Sequence, residues 1–324
     1  MMGKKYRKVR NALVCCLVAM LAVGCTDDAD FVAPAFLHVD AIDLLSPAYC
    51  QTSDGNLEII TDTGFTTSNI VAAYVLAYFK DSKKHDSIGL FRLPFTVPIL
   101  PSGELEFLRI YPAIPQSGQM VFLPYYTYYN YITVDDTTLV SGDTLNLGRL
   151  STTYDKMSDF PLLFESFEPI GRTLKLDTVE WVRNDPAGAR CGSGYGRVHL
   201  TPDQESYDFE VNMGHQFSGL DFYVNTSKKI PLLYLELDIK SQLELQVNMK
   251  APYREGGNPS TVEVMRIYPT GDKWVHMYVN LGRTWSWFNH SNIFSITFSA
   301  LNLQGIDGEL LIDNVKLQTT QKTI

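Results

Sequence analysis

The sequence predicts an all-β chain of two β-sandwich domains behind a short leader. Three observations predict it. Apolar residues recur with period two over short runs, the mark of half-buried strands. No segment shows sustained helical spacing. Turn residues separate the runs, and one longer polar stretch, residues 151–159, lacks alternation and divides the runs into two groups.

The leader comes first. Lys4, Lys5, Arg7, Lys8 and Arg10 precede an apolar run from Ala12 to Val23. That run is shorter than the ~20 residues a spanning helix needs, and its flanks are those of a secretory signal. Leu21-Ala22-Val23-Gly24-Cys25 resembles the lipobox of bacterial lipoproteins, with Ala22 where Leu is commonest. The resemblance implies a signal peptide over 1–24 and lipidation of Cys25, which tethers the chain to a membrane. The alternative is an ordinary signal peptide with an incidental cysteine. Asp27-Asp28-Ala29-Asp30, within an acidic tether over 25–34, resembles the surface-export signal of Bacteroidota lipoproteins. It implies an outer-membrane lipoprotein displayed at the cell surface; the plainer reading is a solvated tether.

Charge excludes several partners. The chain has 27 Lys+Arg and 36 Asp+Glu, a net charge of −9. Without the five basic residues of the leader, 22 face 36, giving −14. Nucleic-acid binding needs a basic footprint, and adhesion to anionic lipid needs the same. Hydrophobic residues make up 45% and charged residues 19%, a globular composition. Cys50 and Cys191 remain outside the leader and Cys25; they lie far apart in sequence, and no bridge between them is expected.

The first domain is expected over 35–150. Leu37 and Val39 alternate with His38 and Asp40. Val71, Ala73, Val75, Ala77 and Phe79 share one strand face. Asp81 to Asp86 is a polar turn, and Pro94 and Pro98 confine the next strand to an edge or bulge. Leu105, Phe107, Arg109 and Tyr111 oppose Glu106, Leu108 and Ile110. Tyr125-Tyr126-Thr127-Tyr128-Tyr129-Asn130-Tyr131 has two readings: an exposed aromatic strip for a ligand, or a strand packed on both faces with its hydroxyls in water. Gly89 to Leu100 with Ser102-Gly103-Glu104 resembles the N-terminal β-domain of Bacteroidota lipoproteins and is similar to Ig-like modules of the PEGA kind.

The second domain is expected over 160–318. Leu233, Leu235, Leu237 and Ile239 alternate with Tyr234, Glu236, Asp238 and Lys240; Leu243, Leu245, Val247 and Met249 alternate with polar residues. Apolar-in, polar-out patterning on neighbouring runs predicts antiparallel pairing. Val275, Met277 and Val279 alternate with Trp274, His276 and Tyr278, and Leu311, Asp313, Val315 and Leu317 are placed on one face. Phe167-Glu168, Gly192-Ser193-Gly194-Tyr195-Gly196-Arg197-Val198 and Leu311-Ile312-Asp313-Asn314-Val315-Lys316-Leu317 follow the order seen in jelly-roll carbohydrate-binding modules. The resemblance, which extends to galactose-binding-like folds, implies a jelly roll. It does not by itself imply a function.

Two sets of side chains carry chemistry. In the resembled modules, acids at the positions of Glu168 and Asp313 ligate a structural calcium, which takes hard oxygen ligands; the alternative is that Asp313 caps a turn or pairs with a base. Trp285 and Trp287, with His290, offer an aromatic platform and a hydrogen-bonding group for a sugar; the alternative is that the two rings plug the end of the sandwich. No GxSxG, HExxH or Gly-rich phosphate loop is present, so no enzyme is expected. The resulting expectation is a non-catalytic surface lipoprotein that binds a neutral glycan through the second domain by stacking. The alternative is a structural or adhesive envelope protein that contacts other proteins.

Overall fold

A computed structural model describes residues 33–45, 48–51, 57–60, 63–80, 85–100, 103–135, 137–155, 162–169, 174–212, 232–252, 259–288 and 294–319. The leader, Cys25, the acidic run, residues 81–84 of the polar turn, and His290 lie outside the described residues. Among the described residues the elements are strands, one α-helical turn and two 3-10 turns, Thr63–Thr66 and Ser286–Phe288. The N-terminal strands are β1 (Ala35–Val39), β2 (Ala41–Leu45), β3 (Ala48–Gln51), β4 (Leu57–Ile60), β5 (Ala72–Phe79), β6 (His85–Arg92), β7 (Phe95–Ile99), β8 (Leu105–Ala113), β9 (Ile132–Asp135), β10 (Thr144–Asn146) and β11 (Arg149–Thr153). The C-terminal strands are β12 (Leu162–Glu165), β13 (Lys175–Asp177), β14 (Glu180–Val182), β15 (Tyr195–Leu200), β16 (Ser206–Asn212), β17 (Leu233–Ser241), β18 (Glu244–Pro252), β19 (Pro259–Ile267), β20 (Val275–Asn280), β21 (Ser295–Leu301) and β22 (Gly308–Thr319). The helical turn α1 (Gly282–Trp285) separates β20 from β21.

The first sandwich sets β10-β1-β7 and the parallel pair β11-β2 against the sheet β6-β5-β8-β9. Leu37, Val39 and Ile42 from one layer meet Ala73, Val75, Ala77 and Phe79 from the other in one core. Pro98 sits in β7, an edge strand, where a missing ladder donor does no harm. Ser151–Thr153, expected to open the linker, instead finish β11. Backbone pairing with β2 holds this stretch, and such pairing leaves no apolar pattern to see.

The second sandwich is a jelly roll of two antiparallel sheets, β14-β15-β22-β17-β20 with β12 also on β22, and β13-β16-β21-β18-β19. Leu235, Leu237 and Ile239 of β17, Val247 and Met249 of β18, and Ile296 and Phe298 of β21 are fully buried between them. Each such side chain contributes about 1.5–3 kcal/mol by leaving water.

Two expected faces are corrected by bulges. In β8, Tyr78 pairs with Phe107 but Phe79 with Leu105, so Glu106 is an extra residue. The core residues are therefore Leu105, Leu108 and Ile110, not one alternating set. In β22, Glu236 faces Lys316 while Asp238 faces Asp313, which inserts a residue at Asn314, held at φ 48°. The core face is Leu310, Ile312, Val315 and Leu317. Leu311 and Asp313 lie on the opposite face, because one extra residue inverts a period of two.

Candidate functional site

The densest group of ionisable side chains lies where the two sandwiches meet. β17, β20 and β22 present Glu236, Asp238, His276, Lys316 and Gln318 outward from the jelly-roll core, yet all are buried. The cover is the tyrosine-rich segment of the first domain. It is not a strand: Tyr126, Tyr128 and Tyr129 turn into the junction, while Tyr125 and Tyr131 stay exposed. The packed-strand expectation fails, because the inward hydroxyls reach the second domain instead of water, and the exposed-strip expectation is reduced to Tyr125 and Tyr131. Tyr126 donates to Glu236 Oε1 at 2.6 Å, and Tyr154 donates to Glu236 Oε2 at 2.8 Å. Tyr128 donates to the Leu232 carbonyl at 2.7 Å. The Tyr129 and Tyr278 hydroxyls are 2.9 Å apart.

Acids and bases pair across this junction. Lys316 Nζ donates to the Thr67 carbonyl and the Tyr154 hydroxyl, each at 3.1 Å, and to Glu236 Oε2 at 3.4 Å. His276 Nδ1 is 3.1 Å from Asp238 Oδ1, and its Nε2 is 3.3 Å from Glu236 Oε2 without hydrogen-bond alignment. Burial opposes charge on Glu236, but Lys316 and His276 outweigh it and hold the carboxyl below its ordinary range. Burial likewise opposes the His276 imidazolium, and Asp238 and Glu236 outweigh it and raise its pKa. Two carboxylates thus face Lys316 and His276, and the Arg190 guanidinium reaches Asp238 Oδ1 at 3.8 Å from the edge. Such a network costs several kcal/mol to desolvate, so it specifies how the domains dock more than it adds stability. The sequence placed Glu236, Asp238 and His276 on a polar outer face. The available signal was their interleaving with Tyr234 and Tyr278, since a solvated face has no need of such rings.

Glu168 and Asp313 hold opposite parts of one loop. Glu168 Oε1 accepts the N–H groups of Ser193 and Gly194, each at 2.6 Å. Asp313 Oδ2 accepts those of Arg190 at 3.1 Å and Cys191 at 3.4 Å, and its Oδ1 accepts that of Asn314 at 2.8 Å. Gly192, at φ 72°, leaves no room for a Cβ beside Glu168, which accounts for the small-residue run. Backbone N–H groups have the wrong polarity for a metal shell, which needs oxygen donors. No group of three or more His, Cys, Asp or Glu among the described residues is placed to hold a metal. These donors do not fit calcium; they make the two carboxylates loop anchors. Asp313 also lies near Asp238, and burial first, then that neighbour, pushes its pKa up to about 8.

Trp285 and Trp287 do not form a platform together. The segment is α1 followed by a 3-10 turn, not extended chain. Residues two apart on a helical turn point to opposite sides. Trp285 is 3% exposed and joins the core, whereas Trp287 is 55% exposed. The plug reading holds for Trp285; Trp287 alone faces solvent.

The second sandwich keeps one outer face open among the described residues, that of β13-β16-β21-β18-β19. Across it run two register rows, Asp208–Ser299–Gln246–Arg266 and Glu210–Thr297–Asn248–Glu263. Gln246 Nε2 donates to Asn248 Oδ1 at 2.8 Å, and Asn248 Nδ2 donates to Ser299 Oγ at 3.4 Å. Asn248 is itself buried, so the surface is made of the Gln246 amide with hydroxyls and carboxylates, held in register by the sheet.

No protein-family model matches the chain, and no curated protein matches it. Solved structures do. A family 29 carbohydrate-binding module aligns at 13% identity over 50% of this chain and 88% of its own, with a TM-score of 0.30. The xylan-binding family 22 domain from Paenibacillus barcinonensis aligns at 11% identity over 50% of this chain and 95% of its own, with a TM-score of 0.31. A C-terminal family 22 module from Clostridium thermocellum aligns at 11% identity over 50% and 94%, with a TM-score of 0.28.

Proposed function

We propose that this chain is a non-catalytic lipoprotein of a bacterial outer surface whose jelly roll binds a neutral glycan. The observation that carries the reading is the open polar face of β13-β16-β21-β18-β19, beside an opposite sheet face that the first domain covers. Gln246, Ser299 and Thr297 are partly exposed hydrogen-bonding groups suited to a hydroxyl-rich ligand, and the strands that carry them, with the buried Asn248 amide beneath, preorganise them. The buried junction supports a non-catalytic role: its acid, base and imidazole groups are sealed from any substrate. The leader, Cys25 and the acidic run support anchoring and display. A second reading, adhesion to another protein, draws on the tip Met120-Val121-Phe122, where Val121 is 97% exposed.

The test is a glycan array probed with the full mature chain, followed by affinity measurements on variants. An excised second domain is unsuitable because it would expose the junction face. The expectation is binding to neutral polysaccharides that Gln246→Ala and Thr297→Ala each weaken about tenfold. An array without neutral hits, or hits that both variants leave unchanged, would favour the adhesive reading.

A further inference from the structure

The outer face of β6-β5-β8-β9, on the first domain, carries a second surface that the proposed function does not use. The Tyr78 and Phe107 rings stack at 4.3 Å and 26°. Tyr111 packs beside Tyr131 at 5.3 Å and beside Tyr125 at 5.8 Å. Between these groups sits Arg109, its guanidinium carbon 5.1 Å from the Tyr78 ring, 5.1 Å from Phe107 and 4.7 Å from Tyr131. Tyr125 and Tyr131 are 56% and 45% exposed. The bulge at Glu106 aims Phe107, Arg109 and Tyr111 to this one side, away from the core residues Leu108 and Ile110.

Arg109 is held by rings and not by a carboxylate, as Arg183 is held over Trp181. Arg149 pairs with Asp43, Arg197 with Glu180, and Arg266 with Glu263. Arg109 has no carboxylate within ion-pair distance among the described residues, and its Nε is buried without a hydrogen-bond partner. In a chain with 36 acidic and 27 basic residues, a guanidinium left without an acid and braced by three rings is preorganised for an external anion.

We propose that this face binds an acidic polysaccharide, with sugar rings stacked on Tyr131, Tyr111 and Tyr78 and a uronate carboxylate on Arg109. Charge complementarity selects this occupant. Neighbouring rings, tilted by 40° between Tyr111 and Tyr131, suit the apolar faces of successive pyranoses that are themselves turned relative to one another, and a guanidinium suits a carboxylate. An anionic membrane would need a cluster of basic residues; this face offers two arginines, Arg109 and Arg92, with Asp135 opposite Phe107, and Arg92 is already donating to the Met120 carbonyl. The chain's overall negative charge does not prevent the contact, because repulsion is screened beyond about 8 Å at physiological salt. The inference is independent of the neutral-glycan reading, since it concerns the other domain.

The test is calorimetric titration of the full mature chain with polygalacturonate, its methyl ester, a neutral glucan, and anionic phospholipid vesicles. Polygalacturonate should bind. Arg109→Gln and Tyr131→Ala should each weaken it about tenfold while keeping the parental melting temperature. The methyl ester should bind the parent about as weakly as polygalacturonate binds Arg109→Gln. Gln246→Ala, on the jelly roll, should leave polygalacturonate binding unchanged, which separates failure here from failure of the neutral-glycan site. The proposal is overturned if polygalacturonate does not bind, if it binds Arg109→Gln as it binds the parent, or if only the vesicles bind. If Arg109→Gln is less stable, Arg109→Lys, which keeps the charge but loses the planar fork, should fold and still bind more weakly. Parental affinity in that variant also overturns the proposal.

Discussion

Asp313 shows how one side chain's environment sets its chemistry. Its carboxyl is buried beside Asp238, so its pKa rises from 3.8 to about 8, with burial the larger cause. Three backbone N–H groups still reach it, and they favour the charged form without overcoming burial. The folded state thus holds a proton that the unfolded chain releases above its ordinary value. Stability from this group is fully present below pH 3.8 and is lost as pH rises through about 8. Asp313→Asn, which cannot ionise, should flatten the fall in stability across that window. Urea denaturation of both proteins at several pH values between 4 and 9 checks this; parallel slopes would mean that Asp313 is charged throughout. The sequence located this residue as a buried acid. It did not locate its neighbour, because Asp238 is distant in sequence and only the pairing of β17 with β22 brings the two together.

At the scale of elements, one residue decides which face a strand shows. The bulges at Glu106 and Asn314 each invert an alternation that is otherwise correct. Asn tolerates the left-handed conformation better than most residues, so Asn314 was a weak local signal for such a break. The turn α1 separates Trp285 from Trp287 in the same way. Trp285→Ala should cost about 3–5 kcal/mol, the usual loss for a large core ring. Trp287→Ala should stay within about 0.5 kcal/mol, as at a surface position. Thermal melts of the two variants decide this, and equal losses would place both rings in the core.

At the scale of the whole molecule, the two sandwiches are joined by a buried polar junction. Ser117 N–H donates to the Tyr278 carbonyl at 2.7 Å, and Gln116 bridges to Tyr278, so the first domain also caps the edge strand β20. An edge covered in this way is protected from pairing with other chains. Lys316→Met should destabilise the protein by about 3–5 kcal/mol, because Glu236 would keep a buried charge without its lysine. Adding Glu236→Gln should recover part of that loss, since the pair is coupled. Chemical denaturation of the single and double variants tests the pair. Additive losses would show that Lys316 and Glu236 do not interact.

The sequence by itself determined the all-β class, most strands and the jelly-roll core, because burial against a strand's own sheet is written locally as a period of two. It also marked Glu168 and Asp313 as linked to the Gly192–Gly194 run through their shared resemblance, although their work proved to be holding a loop. Only the tertiary structure decided that Glu236, Asp238, His276 and Lys316 are buried while Gln246 and Thr297 keep an outer face that the described residues leave partly exposed. The physical reason is that a solvated polar face and a satisfied buried network use the same residue types at the same spacing. What separates them is whether Tyr126 and Tyr154, from another domain, arrive with hydroxyls to fill the carboxylate's lone pairs.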